Sequence, residues 1–280
     1  MKTAFFDCFS GISGDMCLGA LVDAGVDFGA LRKMLGLLPV GGYTLRCAKV
    51  MRSGISATSV HVEITSEQPE RHLPDIEQII NASKLPDQVK NASREVFTNL
   101  ARAEAKIHAT TPEKVHFHEV GAVDAIIDVV GTMLGLHLLG VEMVLVSPLP
   151  MGRGFIKCAH GVIPSPAPAT LEILVDRHIS VYGTDMEMEL VTPTGAALVA
   201  TLNNGCGTLP VMQIKRVGYG AGKKEYQRPN LLRLIIGEAD DKMCPDRYNM
   251  THHGLGYQSG QENKNNHFNH SDQNKHQVDE

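Results

Sequence analysis

The chain has 280 residues, of which 43% are hydrophobic and 20% are charged, and its formal net charge is −5. This composition supports a buried core and excludes a fully disordered, collagen-like or fibrous chain. A mildly acidic chain with 5% aromatic residues and no tryptophan lacks the basic, aromatic surface that nucleic-acid binding uses. No apolar run is long enough to span a bilayer, and no signal-peptide pattern is present. We therefore expect a cytoplasmic protein that contacts neither nucleic acid nor membrane.

Strands and helices are predicted to alternate along residues 1–238. The hydrophobic pattern predicts strands at residues 2–7, 43–50, 58–64, 143–146, 212–217 and 231–236. Helices are predicted at residues 14–24, 31–38, 74–81, 87–109, 123–139 and 169–175, and after Thr192. This order favours an α/β fold with a mixed sheet flanked by helices, and α+β is the alternative.

The composition changes near residue 239. Residues 249–280 contain six Asn, four Gln and five His, with very few aliphatic side chains. Such a segment cannot bury enough apolar surface to offset its ordering entropy. We therefore expect one folded α/β region at residues 1–238, and a disordered, polar, His-rich tail at residues 239–280.

The first candidate site is the sequence DCFSGISGD, residues 7–15, between the first predicted strand and helix. Backbone N–H groups at a helix N-terminus favour a bound anion. The residues that would surround it are small or carry hydroxyl groups: Ser10, Gly11, Ser13 and Gly14. Asp7 and Asp15 flank the same loop and suit a cation. A tight turn with an aspartate that caps the helix explains the motif equally well.

The second candidate site is a pair of histidines, His116 and His118, followed by Glu119. In an extended segment the two imidazoles share a face, because side chains alternate. Two imidazoles with a carboxylate are a common ligand set for Zn, Ni, Fe or Cu. Asp124 and Asp128 lie four positions apart in the next predicted helix and also share a face. The pattern predicts a metal site, and a solvated polar edge strand is the alternative.

A third motif, KCAHG, places Cys158 and His160 on one face if the segment is extended. This pair suits a soft metal or a nucleophile with its base, although ordinary packing is the alternative. Residues 218–222, GYGAG, precede two lysines and predict a flexible loop that either approaches a phosphate or turns the chain. The tail histidines would bind divalent metal loosely or belong to a polar linker.

These motifs occur in a recognisable order: DCFSGISGDM, RHLPDI, VHFHEVGAVDAIIDVVG, CAHGVIPSPAPATLEIL, ELVTPTGAAL and GYGAG. From residue 2 to residue 238 the chain resembles the LarC family, the nickel-insertion proteins of lactate racemase cofactor synthesis. The resemblance implies a nickel chelatase of the lyase class. Such a protein inserts Ni(II) into pyridinium-3,5-bisthiocarboxylic acid mononucleotide and forms the nickel-pincer nucleotide.

The resemblance also implies cofactors and partners. Family members use CTP with Mn(II) or Mg(II), which we expect to bind a C-terminal domain that follows the GYGAG region. Because this chain resembles the N-terminal portion, a separate C-terminal polypeptide is the expected partner. Lactate racemase is the expected downstream acceptor of the cofactor, and self-association into a homo-oligomer is left open.

The resemblance assigns roles to the candidate residues. The substrate phosphate would lie at the Ser10–Gly14 loop, and nickel at ligands drawn from His116, His118, Glu119, Asp7, Asp15 and Cys158. Forming a nickel–carbon bond releases a ring proton, so a base is needed; Glu119, Asp124 or His160 would serve. The alternative function is a nickel carrier or storage protein without catalysis. A metal-dependent hydrolase is a third class, against which the absence of an HExxH helix argues.

Overall fold

The computed structural model describes residues 1–115, 117, 123–158, 161–226 and 228–239. Its helices in these ranges are Gly14–Asp23 (α1), Phe28–Leu35 (α2), Leu73–Ala82 (α3), Asp87–Ile107 (α4), Val123–Leu139 (α5), Pro168–Leu174 (α6) and Pro193–Leu202 (α7). Its strands are Lys2–Asp7 (β1), Tyr43–Arg52 (β2), Ile55–Ile64 (β3), Met143–Val146 (β4), Leu149–Met151 (β5), Phe155–Cys158 (β6), Gly161–Pro164 (β7), Val181–Gly183 (β8), Gly205–Cys206 (β9), Met212–Ala221 (β10) and Leu231–Ala239 (β11). A short 3-10 turn, Pro112–Lys114, follows α4.

Seven strands form one sheet in the order β2-β3-β10-β11-β1-β4-β9. Strand β1 runs antiparallel to β11 and parallel to β4, so the sheet is mixed. The remaining strands form two small sheets, the parallel pair β5-β8 and the antiparallel pair β6-β7. The α/β fold with a mixed sheet that the sequence predicts is therefore confirmed.

Strand β1 is buried on both faces. Ala4 and Phe6 point into the main core with the helices, whereas Phe5 packs in a smaller cluster on the opposite face. Helix α1 lies across β3, β10 and β11, and α5 packs against α1. A Cβ atom at Gly220 of β10 would lie 1.8 Å from the carbonyl oxygen of Met16. Only glycine therefore lets α1 lie this close to the sheet.

Two local predictions are wrong. Residues 218–222 do not form a flexible loop, because β10 continues to Ala221 and its glycines let α1 pack closely. Helix α2 begins at Phe28 rather than at residue 31, because the side chain of Asp27 accepts a hydrogen bond of 2.6 Å from the Ala30 N–H and caps the helix.

Within the described ranges, none of the helices is long and apolar enough to cross a membrane. The last described strand, β11, ends at Ala239. Residues 240–280, which include nearly all of the predicted tail, lie outside the described residues.

Candidate functional site

The loop between β1 and α1 is tied to the segment that precedes α7. Gly11 has φ +101° and donates its N–H to Cys8 O at 2.9 Å. Ile12 donates to Leu190 O at 2.9 Å, and a Cβ atom at Gly11 would lie only 2.0 Å from that same oxygen. Gly11 is therefore required by the fold itself, and a larger residue there would disturb the chain before it affects any ligand.

The first turn of α1 orients the carboxylate of Asp15. Ser13 precedes the helix in an extended conformation, and its hydroxyl donates to Asp15 Oδ1. The Met16 N–H donates to the same oxygen at 2.9 Å. Ser13 was predicted to donate to an anion; in this structure its hydroxyl donates to Asp15.

Asp128, in the second turn of α5, lies directly against the start of α1. An ideal Cβ at Gly14 would be 2.6 Å from Asp128 Oδ2. Asp128 Oδ1 is buried and accepts no hydrogen bond within the described part of the chain. Burial raises the pKa of Asp128 well above its usual value, and the nearby charges of Asp15 and Asp124 raise it further. The start of α1 and the start of α5 therefore form one acidic site that is partly shielded from solvent. We call this site, with Asp15, Asp124 and Asp128, the acidic corner.

Lys223 is the nearby positive charge. Its ammonium group lies close enough to lower the pKa of Asp128, against the effects of burial and of the two other carboxylates. Lys223 lies two residues after the end of β10, and its effect on Asp128 places the lysine after the GYGAG sequence near the start of α1. These two segments, which the sequence offered as alternative phosphate sites, are neighbours.

The raised pKa of Asp128 makes stability depend on pH with a definite sign. Between the ordinary carboxyl pKa and the raised folded value, the folded state holds a proton that the unfolded state has lost. Stability therefore falls as pH rises through this window, by up to about 1.4 kcal/mol per pH unit. We expect Asp128→Asn to remove this slope, so that its melting temperature exceeds that of the parent increasingly from pH 5 to pH 8.

Melting curves of the parent and of Asp128→Asn across that pH range measure the effect. The control is Asp87→Asn, because the Asp87 side chain is 94% exposed on α4. A difference between Asp128→Asn and the parent that stays constant with pH would contradict the expectation.

Asp7 does not lie with Asp15. Because side chains alternate along β1, Asp7 lies on the same face as Phe5, opposite the helices, whereas Asp15 belongs to α1. Arg233 of β11 donates two hydrogen bonds to Asp7 Oδ2, one of them from Nε at 2.8 Å. This hydrogen bonding raises the pKa of Arg233, whose guanidinium also lies 5.6 Å from the ring centroid of Phe9. The structure thus separates the two aspartates that the loop motif placed together.

The cysteines near the site are buried thiols. Burial raises the pKa of both Cys8 and Cys17, so both thiols are neutral and unreactive at physiological pH. Cys158, which was predicted as a ligand, ends β6 and is half-buried. It pairs with Gly161 across an antiparallel hairpin. The predicted pairing of Cys158 with His160 is not tested, because His160 lies outside the described residues.

The predicted metal ligands His116, His118 and Glu119, and the predicted base His160, lie outside the described residues. Residues next to His116, His118 and Glu119 in the sequence are described, among them Val115, Phe117 and Val123. Phe117 is buried, and its ring meets that of Phe97 edge to face, with centroids 6.4 Å apart. Asp124, the other predicted base, lies in the first turn of α5, where its Oδ1 accepts the Ala125 N–H at 3.0 Å.

Over the described ranges, no three side chains of the types His, Cys, Asp and Glu are placed to hold a metal ion together. The acidic corner supplies carboxylates only, which suit hard cations better than nickel. The sequence analysis grouped Asp128 with Asp124 near the histidines and offered the lysines after GYGAG for a phosphate, but it did not bring Asp128 and Lys223 to one site. The i, i+4 spacing was the only local signal for Asp128.

The family model of nickel insertion proteins matches residues 4–270. A protein of Desulfitobacterium hafniense (strain DSM 10664 / DCB-2) is named pyridinium-3,5-bisthiocarboxylic acid mononucleotide nickel insertion protein. It is 53% identical over 242 residues, which cover 86% of this chain and 60% of that protein. A relative from Dictyoglomus thermophilum, also named as a nickel insertion protein, is 47% identical over 247 residues, covering 88% of this chain and 64% of the relative. No solved structure shows a significant match.

The α/β fold and the matches together define the class of the chain. It belongs to the family of nickel insertion proteins. The chain spans 60% of the length of the two Desulfitobacterium hafniense relatives.

Proposed function

We propose that this chain binds Ni(II) and inserts it into pyridinium-3,5-bisthiocarboxylic acid mononucleotide, forming the nickel-pincer nucleotide. The family match and the names of the Desulfitobacterium relatives support this function. In this proposal nickel is a substrate that the protein receives and passes on.

The observation that carries the proposal is the corner formed by the start of α1, the start of α5 and Lys223. The helix start and the lysine suit the phosphate of a mononucleotide. Helix α5 begins at Val123, four positions after Glu119, so the predicted nickel ligands precede this corner closely in the sequence. A phosphate at the helix start would let the ring and its thiocarboxylates extend towards His116 and His118.

The insertion chemistry needs exchangeable ligands and a base. Imidazole and carboxylate groups bind Ni(II) but can release it to two thiocarboxylates and a ring carbon. In the insertion step the ring C–H bond breaks, the nickel–carbon bond forms, and the proton passes to the base without a change in oxidation state. Glu119, Asp124 and His160 are the proposed bases.

The remaining proposals concern the parts of the relatives that this chain does not match. We assign CTP with Mn(II) or Mg(II) to a C-terminal polypeptide that acts with this chain, and lactate racemase is the acceptor of the product. Asp7, Asp15 and Cys158 remain proposed metal ligands, of which Asp15 lies at the corner. We place the reaction in the cytoplasm, where the five described cysteines would stay as free thiols.

The decisive experiment mixes the purified chain with Ni(II) and the apo pincer mononucleotide, with and without CTP and the separate C-terminal polypeptide. Insertion produces the absorbance and mass of the nickel-pincer nucleotide. Nickel bound without product, even in the complete mixture, would support the carrier function. The five histidines of the tail fit the carrier and the insertase equally. Product formed at the same rate without the chain would exclude both functions.

The phosphate position is tested by Lys223→Ala. Loss of one hydrogen bond to a charged group costs about 1.5–3 kcal/mol, so the apo mononucleotide should bind about 10- to 100-fold more weakly. Lys224→Ala is the matched control, because that neighbour does not contribute to the pKa of Asp128. Calorimetric titration measures both variants. Equal affinities for Lys223→Ala and the parent would place the phosphate elsewhere.

A further inference from the structure

Arg233 is held from several sides at the end of the sheet where β1 finishes. In the pairing of β11 with β1 it lies opposite Asp7, the last residue of β1. Asp7 Oδ2 accepts hydrogen bonds from its Nε and from a terminal nitrogen, and the Tyr219 hydroxyl accepts another. The guanidinium also packs over the ring of Phe9, with Cζ 5.6 Å from the ring centroid. These contacts fix a flexible side chain in one orientation before any ligand arrives.

Arg233 nevertheless remains open to solvent. Its side chain is 41% exposed, whereas that of its partner Asp7 is only 15% exposed. A guanidinium carries more N–H groups than Asp7 and Tyr219 use, and it only donates hydrogen bonds. None of its nitrogen atoms is buried without a partner within the described part of the chain. The spare N–H groups of Arg233 therefore face solvent, where a ligand can accept from them.

This guanidinium lies at the same end of the sheet as the acidic corner. Ligands of α/β sheets bind outside the carboxyl ends of the parallel strands, and here β1, which is parallel to β4, ends beside Arg233. Arg233 pairs with Tyr219 of β10, and the chain from Tyr219 to Lys223 spans at most about 14 Å. A ligand whose phosphate lies beside Lys223 can therefore place a second anionic group at Arg233.

The surroundings of Arg233 favour a carboxylate over a phosphate. The fork of a guanidinium matches a planar carboxylate, which accepts two parallel hydrogen bonds from it. The negative charge of Asp7 offsets much of the positive charge, so a singly charged group is attracted with less repulsion than a phosphate dianion. In the mononucleotide of the proposed function, the singly charged groups are the two thiocarboxylates on the pyridinium ring.

We propose that Arg233 binds a thiocarboxylate oxygen on the ring of the mononucleotide, and that Phe9 is a positioning residue that holds the guanidinium in place. The inference rests on the proposed function in that it takes a pyridinium mononucleotide as the ligand. It assigns the two ends of this ligand to different cations, the phosphate to Lys223 and the ring substituent to Arg233. Binding at Arg233 does not require nickel.

A purely structural role for Arg233 is the competing explanation, and two pyridinium mononucleotides separate the roles. Nicotinic acid mononucleotide carries a carboxylate on the ring, and nicotinamide mononucleotide carries a neutral amide at the same position. Both have the same ribose and phosphate. Damage to the fold or to phosphate binding weakens both ligands alike, whereas loss of a carboxylate contact weakens only the acid.

The experiment titrates both mononucleotides calorimetrically, without metal, into the full chain and into the variants Arg233→Gln, Arg233→Lys, Phe9→Leu and Arg32→Gln. Arg32 is the matched control, because this exposed arginine also lies over a phenylalanine, with Cζ 6.0 Å from the Phe28 ring centroid. Arg233→Gln leaves the Asp7 carboxylate without its charged partner. The double change Asp7→Asn with Arg233→Gln is therefore made as well, since it removes both charges together.

We expect the parent and Arg32→Gln to bind the acid at least about 10-fold more tightly than the amide. Arg233→Gln and the double variant should bind the two ligands with similar affinity. Arg233→Lys should keep part of the preference, because lysine retains the charge without the fork. Phe9→Leu should reduce the preference while its affinity for the amide stays that of the parent.

A parent that binds neither mononucleotide, or binds both equally, would overturn the proposal, and so would an unchanged preference in Arg233→Gln. Equal weakening of both ligands in Arg233→Gln and in the double variant would assign Arg233 to the fold or to the phosphate, which also overturns it. An unchanged preference in Phe9→Leu would contradict the positioning role. A parent with the Arg233-dependent preference that forms no nickel-pincer nucleotide would instead contradict the insertion function alone.

Discussion

Replacing both His116 and His118 by alanine is expected to abolish tight nickel binding without unfolding the chain. Loss of even an outer-shell partner of a metal ligand costs about 10- to 100-fold in affinity, so loss of two direct ligands should cost at least about 100-fold. The fold should survive, because the segment is held at Phe117 in the core and at the Val115 carbonyl. Nickel content after dialysis and circular dichroism of the same sample measure the two effects.

The matched control is the double change of His61 and His137 to alanine, since both side chains are exposed on other elements. Both double variants are made in the background without tail histidines. Nickel content equal to the parent's in the His116/His118 variant, with an intact spectrum, would remove these residues from the site.

The largest expected loss of stability comes from Gly220→Ala. The new Cβ would lie 1.8 Å from Met16 O and 2.5 Å from the Ala20 nitrogen, both backbone atoms of α1. No rotamer change relieves such a contact, so α1 must move away from β10. Overpacking in cores costs about 1–3 kcal/mol and occasionally more, and we expect a loss of at least about 3 kcal/mol in the free energy of unfolding. Chemical denaturation with an unchanged m-value measures it.

Gly183→Ala is the control for this change. A Cβ atom there would meet nothing within 4 Å, so its stability should match that of the parent. Because Gly220 faces α1, its substitution should also weaken the apo mononucleotide complex wherever the variant still folds. A Gly220→Ala variant with the stability of the parent would show that α1 does not lie this close to β10.

Elements with a strong local pattern were predicted well. Helix Val123–Leu139 and strand Met143–Val146 have the bounds that the sequence predicts, because each apolar run is bordered by polar or turn residues. The short strands β5 to β9 were missed, since two to four residues carry too little periodicity. The extension of β10 was missed because its glycines, which serve close packing against α1, resemble those of a loop.

The candidate site was predicted only where its residues are close in the chain. The spacing of His116 and His118, or of Asp124 and Asp128, is visible in the sequence. Lys223 comes near Asp128 because of the order of strands in the sheet. The hydrogen bond between His72 and Val115 joins residues that are 43 positions apart. Asp7 and Asp15 were grouped by their spacing, yet a strand and the following helix carried them to different faces of the sheet.

The strand order also bears on how the protein is made. The last two described strands, β10 and β11, lie in the middle of the sheet between the β2-β3 pair and the β1-β4 pair. As the ribosome extends the chain, β1 emerges first, but it cannot pair on one side until β11 emerges. The two strands pair along their length, from Lys2 opposite Glu238 to Asp7 opposite Arg233. Until residue 239 leaves the exit tunnel the two halves of the sheet cannot join, and each exposes unpaired strand edges. Complete folding of this domain therefore waits for β11, and a nascent chain stopped before β11 is the form most exposed to aggregation.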